Sequence, residues 1–156
     1  MYRKVEDFMR DWNVASAATL NVMKAMTNNK LDQSIAEGHN SLGWLAWHLV
    51  GAADAFGHFA GLDVPGPSQD HPVPNDVVEI VAAYEKIISS YKEEIPKLTD
   101  ESLLEEVTGF GRPLPRGALL RSLIDHQTHH RGQMTVLLRQ AGLTVPPVMG
   151  PTKEMQ

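Results

Sequence analysis

Apolar side chains recur mostly at steps of three and four residues in four separate stretches of the chain. Such spacing places them on one face of an α-helix, whose turn takes about 3.6 residues. Residues that favour helix ends bound these stretches, with Ser41 at a start and Gly61 and Gly142 at ends. The pattern therefore predicts four amphipathic helices, over about residues 2–28, 40–60, 74–95 and 116–140.

The segment between the second and third helices, GLDVPGPSQDHPVPND, contains four prolines and two glycines and cannot continue either helix. The sequence thus predicts a single all-α domain over residues 1–156, folded as a four-helix up-down-down-up bundle with one long crossover loop. Between the third and fourth helices we expect a short helix over about residues 99–106, followed by an irregular segment, GFGRPLP. No pair of strands with a recognisable hairpin turn is predicted.

Charge and composition exclude several classes of function. The net charge is −5 and the 14 basic residues are scattered, which argues against a nucleic-acid partner. No apolar run approaches the length of a membrane span, so we expect a cytoplasmic protein with no membrane partner. The chain has no cysteine, which excludes disulfides, thiolate nucleophiles and cysteine-based zinc sites. Any transition-metal site must therefore use histidines and carboxylates.

The segment IDHQTHHRGQ, residues 124–133, places three of the seven histidines within five positions. On a helical wheel, His130 lies about 40° and His126 about 80° from the centre of the apolar face, whereas His129 lies about 140° away. The same test on the second helix places His48 at the edge of the apolar face and His58 on the opposite side. We therefore expect three inward-facing histidines, with His129 and His58 exposed.

The inward spacing suggests a metal site without establishing one. Two histidines at i and i+4 can reach one cation from a single helix, and His48 would supply a third imidazole. Three neutral imidazoles would leave a position open for water or substrate, as at a catalytic zinc. Alternatively, each is a hydrogen-bonded core residue, or the tract is a surface feature in which His129 would govern metal retention. Spacing alone does not decide between these interpretations.

The two histidine-bearing segments, HNSLGWLAWHLVGAAD and DHQTHHRGQMTVLLRQAG, resemble the DinB/YfiT-like family of four-helix bundles, which are regarded as metalloenzymes. The run H-x-x-H-H-R-G-Q is the more specific part of the resemblance, and the helix order and length agree over the whole chain. The resemblance implies a three-histidine site for a divalent metal, whose ligands fall on His48, His126 and His130. Zinc and nickel are the metals that we expect.

The resemblance also implies a partner chain and a class of chemistry. Family members are commonly homodimers, and some are transferases or isomerases that use low-molecular-weight thiols. We therefore expect a small-molecule substrate, which could be such a thiol, in a transferase-like or hydrolase-like reaction; the catalytic residues remain unassigned. The alternative is a non-catalytic bundle that binds a small molecule or a structural metal. Arg131 and Gln133 could orient a ligand or simply pack, Trp44 could wall a pocket, and GFGRPLP could cover its mouth.

Overall fold

The computed structural model describes residues 1–67 and 71–155 and contains the four predicted helices. They are α1 (Val5–Lys24), α2 (Leu42–Phe59), α3 (Val77–Glu94) and α4 (Arg116–Gln140). Their bounds lie within four residues of the predicted ones. Short 3₁₀-helices accompany them at Asn28–Lys30, Ile95–Lys97, Ser102–Leu104 and Lys153–Met155. The short helix expected over residues 99–106 is thus reduced to one 3₁₀ turn.

Local hydrogen bonds explain where the helices begin and end. The side chain of Ser41 accepts a hydrogen bond from the backbone N–H of Trp44 at the start of α2, which satisfies one of the free donors of the first turn. Asp76 accepts in the same way from Val78 at the start of α3. Gly61 and Gly142 follow α2 and α4 with φ angles of 76° and 74°. Glycine adopts this left-handed conformation without strain, so both helices stop where predicted.

Contacts between the helix ends define the direction of each helix. The backbone N–H of Tyr2 donates to the carbonyl of Gly117 at 3.0 Å, so α1 and α4 begin at the same end of the bundle. Nε of Arg116 donates to the carbonyl of Ala60 at 2.9 Å, so α2 ends where α4 begins. Helices α2 and α4 are therefore antiparallel, whereas α1 and α4 run in the same direction.

The connection between α2 and α3 is the predicted crossover. The backbone N–H of Asp63, just after α2, donates to the carboxylate of Glu94 at the end of α3. The two helices therefore run in the same direction, and the chain between them must return along the whole bundle. This completes the up-down-down-up order predicted from the sequence. Residues 68–70 of the crossover lie outside the described part of the chain.

One apolar face of each helix contributes to a common core. Helices α1 and α2 each pack against both α3 and α4. Large aromatic side chains fill the centre, and the ring centroids of Trp12 and Tyr91 lie 4.3 Å apart. The hydroxyl of Tyr91 donates to the carbonyl of Ala53 at 2.8 Å, so this buried polar group keeps a partner. Within the described ranges, no helix is both long enough and apolar enough to cross a membrane.

A β-hairpin precedes α4, and here the prediction that no strand pair forms was wrong. Strands β1 (Glu106–Gly109) and β2 (Arg112–Pro115) pair in antiparallel register, with Gly109 opposite Arg112. The two prolines of β2 obscured the strand in the sequence. They alternate with Arg112 and Leu114, so their missing N–H groups fall at positions that make no hydrogen bond across an antiparallel pair. The bond from Arg116 N to Glu105 O, 2.9 Å long, continues the same alternation.

The hairpin turn has an unusual residue at its tip. Phe110 and Gly111 form the two-residue connection with φ angles of 52° and 79°. Such turns favour Asn-Gly because both residues need a positive φ. For an L-residue with a bulky side chain this conformation costs about 1–2 kcal/mol. The turn therefore holds an aromatic side chain at the expense of backbone strain.

Candidate metal centre

Helices α2 and α4 bring the three inward histidines to one place in the bundle. His48 lies in the second turn of α2, whereas His126 and His130 lie one turn apart on α4. One ring nitrogen from each histidine lies within 4.8 Å of the other two, so the group could hold a metal ion. All three side chains are half-buried. The structure thus assembles the three residues that the helical wheel selected.

The spacing of the nitrogens suits a small cation. Nε2 of His48 and Nε2 of His126 lie 3.1 Å apart. Two imidazole nitrogens bound to one tetrahedral zinc ion at about 2.05 Å would lie about 3.3 Å from each other. The rings of His126 and His130 have centroids 4.4 Å apart and meet edge to face. The donor set therefore fits a divalent metal without a large rearrangement of α2 or α4.

The local environment disfavours the protonated forms of His48 and His126. Burial, followed by the charges of His130, His48 and His129, lowers the pKa of His126 to about 4. Burial and the neighbouring His130 also lower the pKa of His48. Both shifts have the same cause, because burial and neighbouring imidazoles disfavour a positive charge on these two rings. Neutral imidazole is the form that binds metals, so His126 is ready for ligation at neutral pH.

Two side chains orient the candidate ligands. Nδ1 of His130 donates to Oε1 of Gln133 at 2.7 Å, which leaves Nε2 without a proton and free to bind a cation. The indole of Trp44 stacks on His48 with ring centroids 4.8 Å apart and planes 11° apart. By contrast, the buried Nδ1 of His126 has no hydrogen-bond partner among the described residues. His126 is thus positioned by packing.

The remaining histidines of the two helices lie outside the cluster. His129 and His58 are exposed, as the helical wheel predicted. His129 touches the cluster only at its edge, with its ring 4.8 Å from that of His130. The tract on α4 is therefore divided between two ligand candidates and one surface residue.

One buried polar residue beside the site, Gln127, was not found from the sequence. Gln127 is fully buried, where its Oε1 accepts from the hydroxyl of Tyr84 at 2.8 Å and its Nε2 donates to the carbonyl of Leu49 at 3.3 Å. It therefore joins α4 to the residue that follows His48 on α2. The only signal in the sequence was the position of a polar side chain between two inward histidines.

Arg131, which the sequence analysis singled out, is also buried. Only 3% of it is exposed, and its guanidinium donates to the carbonyl of Ala15 and to Oγ1 of Thr19 on α1. Among the described residues, no carboxylate forms an ion pair with it. Of the two roles considered, packing and ligand orientation, the contacts support a structural role that joins α4 to α1.

The hairpin covers one side of the candidate centre. The segment GFGRPLP was expected to be an irregular connection that could close over a pocket, and it forms the turn and second strand of the hairpin. Phe110 at its tip packs edge to face on Phe56, with centroids 4.8 Å apart. Phe110 also lines a cavity of about 440 Å³, and His48 and His126 both contribute to the wall of that cavity.

Comparison with known proteins agrees with this arrangement. The sequence model of the DinB family matches residues 1–156. The chain belongs to the DinB family. This DinB-family chain is 37% identical over 155 residues to the uncharacterized protein YrdA of Bacillus subtilis (strain 168), covering 99% of this chain and 93% of that protein. The family assignment therefore confirms the resemblance that the two histidine segments carried.

Solved structures of DinB-like proteins have the same fold. A DinB-like protein from Bacillus cereus ATCC 10987 is 40% identical, with a TM-score of 0.86 over 95% of this chain and 99% of that chain. The DinB-like protein YjoA from Bacillus subtilis is 21% identical, with a TM-score of 0.71 over 94% of this chain and 99% of that chain. At that identity the second similarity supports the helical bundle alone.

Proposed function

We propose that this DinB-family chain binds a divalent metal ion through His48, His126 and His130 and acts as a metal-dependent enzyme on a small molecule. The observation that supports it is the convergence of three ring nitrogens within 4.8 Å of one another from two different helices. Histidines that only fill the core would not be expected to direct three ring nitrogens to one point. The position of two of these rings in the wall of a cavity favours a reactive centre over a sealed structural one.

The residues of the chain supply distinct functions in this proposal. His48, His126 and His130 would hold the ion, and Gln133 would keep His130 in the tautomer that leaves Nε2 free. When bound, a divalent ion would lower the pKa of a water or a thiol and so generate a nucleophile at neutral pH. Trp44 would fix the plane of His48 by stacking. The hairpin would limit the access of bulk water to the side of the three histidines that it covers.

The donor set restricts the metal and the partners that we propose. Neutral imidazoles suit zinc and nickel better than they suit calcium or magnesium, which prefer oxygen ligands. The substrate would be a small molecule, and a low-molecular-weight thiol attacking an electrophile fits the chemistry of such a centre. The homodimer that the resemblance implies and the cytoplasmic location expected from the sequence belong to the same proposal, as does the absence of a nucleic-acid partner.

A metal analysis tests the proposal directly. The protein would be purified without a histidine tag, exchanged into metal-free buffer and measured by inductively coupled plasma mass spectrometry. We expect about one metal ion per chain in the unmodified protein and His129→Ala, and little in His126→Ala. His129 is a matched control because it belongs to the same tract but faces solvent. Circular dichroism would establish that each variant remains helical.

Three results would contradict the proposal in whole or in part. Equal metal content in the unmodified protein and His126→Ala would remove the three-histidine site. Loss of metal in His129→Ala alone would assign the binding to the surface of the tract. A metal-loaded protein that unfolds on chelation and shows no metal-dependent turnover with thiol and electrophile pairs or model esters would leave a structural metal as the function.

A further inference from the structure

The cavity beside the three histidines is apolar apart from the two imidazoles in its wall. Its volume is about 440 Å³, large enough for a ring-sized group, since ligand sites span roughly 300–1,000 Å³. Among the described residues, its lining comes from the same face of α2, from the hairpin tip and from the histidines: His48, Gly51, Ala52, Ala55, Phe56, Phe110 and His126. A group entering this open cavity would contact mainly carbon surface, together with the imidazoles of His48 and His126.

Gly51 lines this cavity without placing a side chain in it. It lies inside α2, three residues after His48, where glycine weakens a helix relative to alanine. A Cβ added at Gly51 would have no heavy atom within 4 Å apart from its two chain neighbours and the backbone of its own helix. No close helix packing therefore requires glycine here. What glycine preserves at this position is empty volume next to the histidines.

Phe110 lines the same cavity from the hairpin tip, in a backbone conformation that is unfavourable for an aromatic residue. Its φ angle of 52° is strained for an aromatic residue, and 58% of its surface is exposed. Its ring contacts Phe56 and Phe59, with centroids 4.8 Å and 4.9 Å away. An asparagine or glycine would form the same turn without strain. Backbone strain of this kind is concentrated at binding and active sites.

From these two residues we infer that the cavity between Gly51 and Phe110 binds the apolar group of the small molecule whose polar group lies at the three histidines. The ligand class is thus a compact molecule with a metal-binding head and an aromatic or branched aliphatic substituent. Phe110 and Gly51 determine specificity, and neither takes part in the chemistry. The inference rests on the proposed function, because the histidines must hold a metal for the head group to bind there.

A pair of matched probes tests the inference. Protein loaded with cobalt(II) would be titrated with acetohydroxamate and with phenylacetohydroxamate, and binding followed by the visible absorption of the metal. Both probes offer the same head group, and only the second carries a phenyl ring. Burying that ring should make phenylacetohydroxamate bind about tenfold more tightly or better. The advantage should be lost in Phe110→Asn, which removes the ring, and in Gly51→Leu, which fills the cavity.

Controls separate this effect from general damage. Leu104→Asn changes an apolar residue with 56% exposure in the 3₁₀-helix before the hairpin, and Gly132→Leu adds a side chain at a solvent-facing helical glycine with open space. Both should keep the tenfold preference.

Metal content, measured first, distinguishes a failure of the proposed function from a failure of this inference. A chain without metal would overturn the proposed function and this inference together, whereas a metal-loaded protein without the preference would overturn the inference alone. An unchanged preference in Phe110→Asn and Gly51→Leu would also overturn it.

Discussion

Nε2 of His48 and Nε2 of His126 lie 3.1 Å apart, although 78 residues separate the two histidines in the sequence. The close approach follows from the antiparallel packing of α2 and α4. It is reinforced by Gln127, which follows His126 and donates to the carbonyl of Leu49, the residue after His48. The two ligand candidates are therefore fixed relative to each other by a buried hydrogen bond one residue further along each helix.

Gln127→Met should weaken both folding and metal binding. The change keeps the side-chain volume but leaves the hydroxyl of buried Tyr84 without its acceptor, which costs about 1–3 kcal/mol of unfolding free energy. Chemical denaturation of the metal-free protein measures this cost. The double variant with Tyr84→Phe should recover part of it, because both polar partners are then absent. Strict additivity of the two single changes would contradict a coupled pair.

Gln133→Ala should lower metal affinity without affecting stability. Gln133 is exposed, but its Oε1 accepts the proton of His130 Nδ1 at 2.7 Å. Losing such an outer partner typically lowers metal affinity by about 10–100-fold, because the ring can rotate or adopt the wrong tautomer. A competition titration with a chromogenic chelator measures the affinity. Gln140→Ala, a matched exposed change further along α4, should leave affinity unchanged, and equal affinities in all three proteins would refute the role of Gln133.

The metal-free protein should lose stability as the pH falls from about 6.5 to about 4. Burial lowers the pKa of His126 to about 4 in the folded chain, below its ordinary value of 6.5. Between these limits the unfolded chain binds a proton that the folded chain does not, so the stability present above pH 6.5 is lost on acidification. Because His126 is only half-buried, screening by solvent reduces the loss to roughly 1–2 kcal/mol.

Urea denaturation of chelator-treated protein at pH 7.5 and pH 4.5 measures this effect. His126→Gln removes the titrating group and should show a smaller difference between the two pH values. His129→Gln removes an exposed histidine of the same tract and serves as the control. If both variants keep the full pH dependence, the loss on acidification arises elsewhere in the chain.

The sequence predicted the helices and the three histidines because both depend on the same periodicity. A helix turn of about 3.6 residues determines which side chains face the core, and His48, His126 and His130 could be selected from that alone. The hairpin was not predicted because its turn, Phe110-Gly111, lacks the usual Asn-Gly sequence and its second strand contains two prolines. In that segment the tertiary contacts of Phe110 outweigh the local preferences of the turn.

The burial of Arg131 could not be predicted for a different reason. The helical wheel places it about 60° from the apolar centre, a margin where arginine ordinarily reaches solvent. Its acceptors on α1 are the carbonyl of Ala15 and the hydroxyl of Thr19, which lie 116 and 112 residues away. Periodicity indicates which face of a helix is buried, but it does not identify a polar partner on another helix.

Arg131→Met should therefore destabilise the protein, whereas a similar change on the exposed face should not. Removing the guanidinium loses charge-assisted hydrogen bonds to α1, each of which contributes at most about 1.5–3 kcal/mol to the free energy of unfolding. The apolar replacement offsets part of this loss. Arg121→Met removes an exposed ion pair with Asp125 on the same helix, which contributes about 0–1 kcal/mol. Thermal and urea denaturation should separate the two variants. A smaller effect for Arg131 than for Arg121 would contradict the buried role.

The same substitution should have opposite effects at two glycines with equally open surroundings. A Cβ would have no close neighbour at Gly111 or at Gly132. Gly111 has a φ angle of 79° in the hairpin turn, so Gly111→Ala should cost about 1–2 kcal/mol. Gly132 lies inside α4, so Gly132→Ala should stabilise the protein by about 0.5–1 kcal/mol through helix propensity. Urea denaturation measures both changes. Because the hairpin turn holds Phe110 over the cavity, Gly111→Ala should also reduce the preference for phenylacetohydroxamate, whereas Gly132→Ala should not. If Gly111→Ala and Gly132→Ala changed the free energy of unfolding with the same sign, open space, and not the backbone conformation, would decide the outcome.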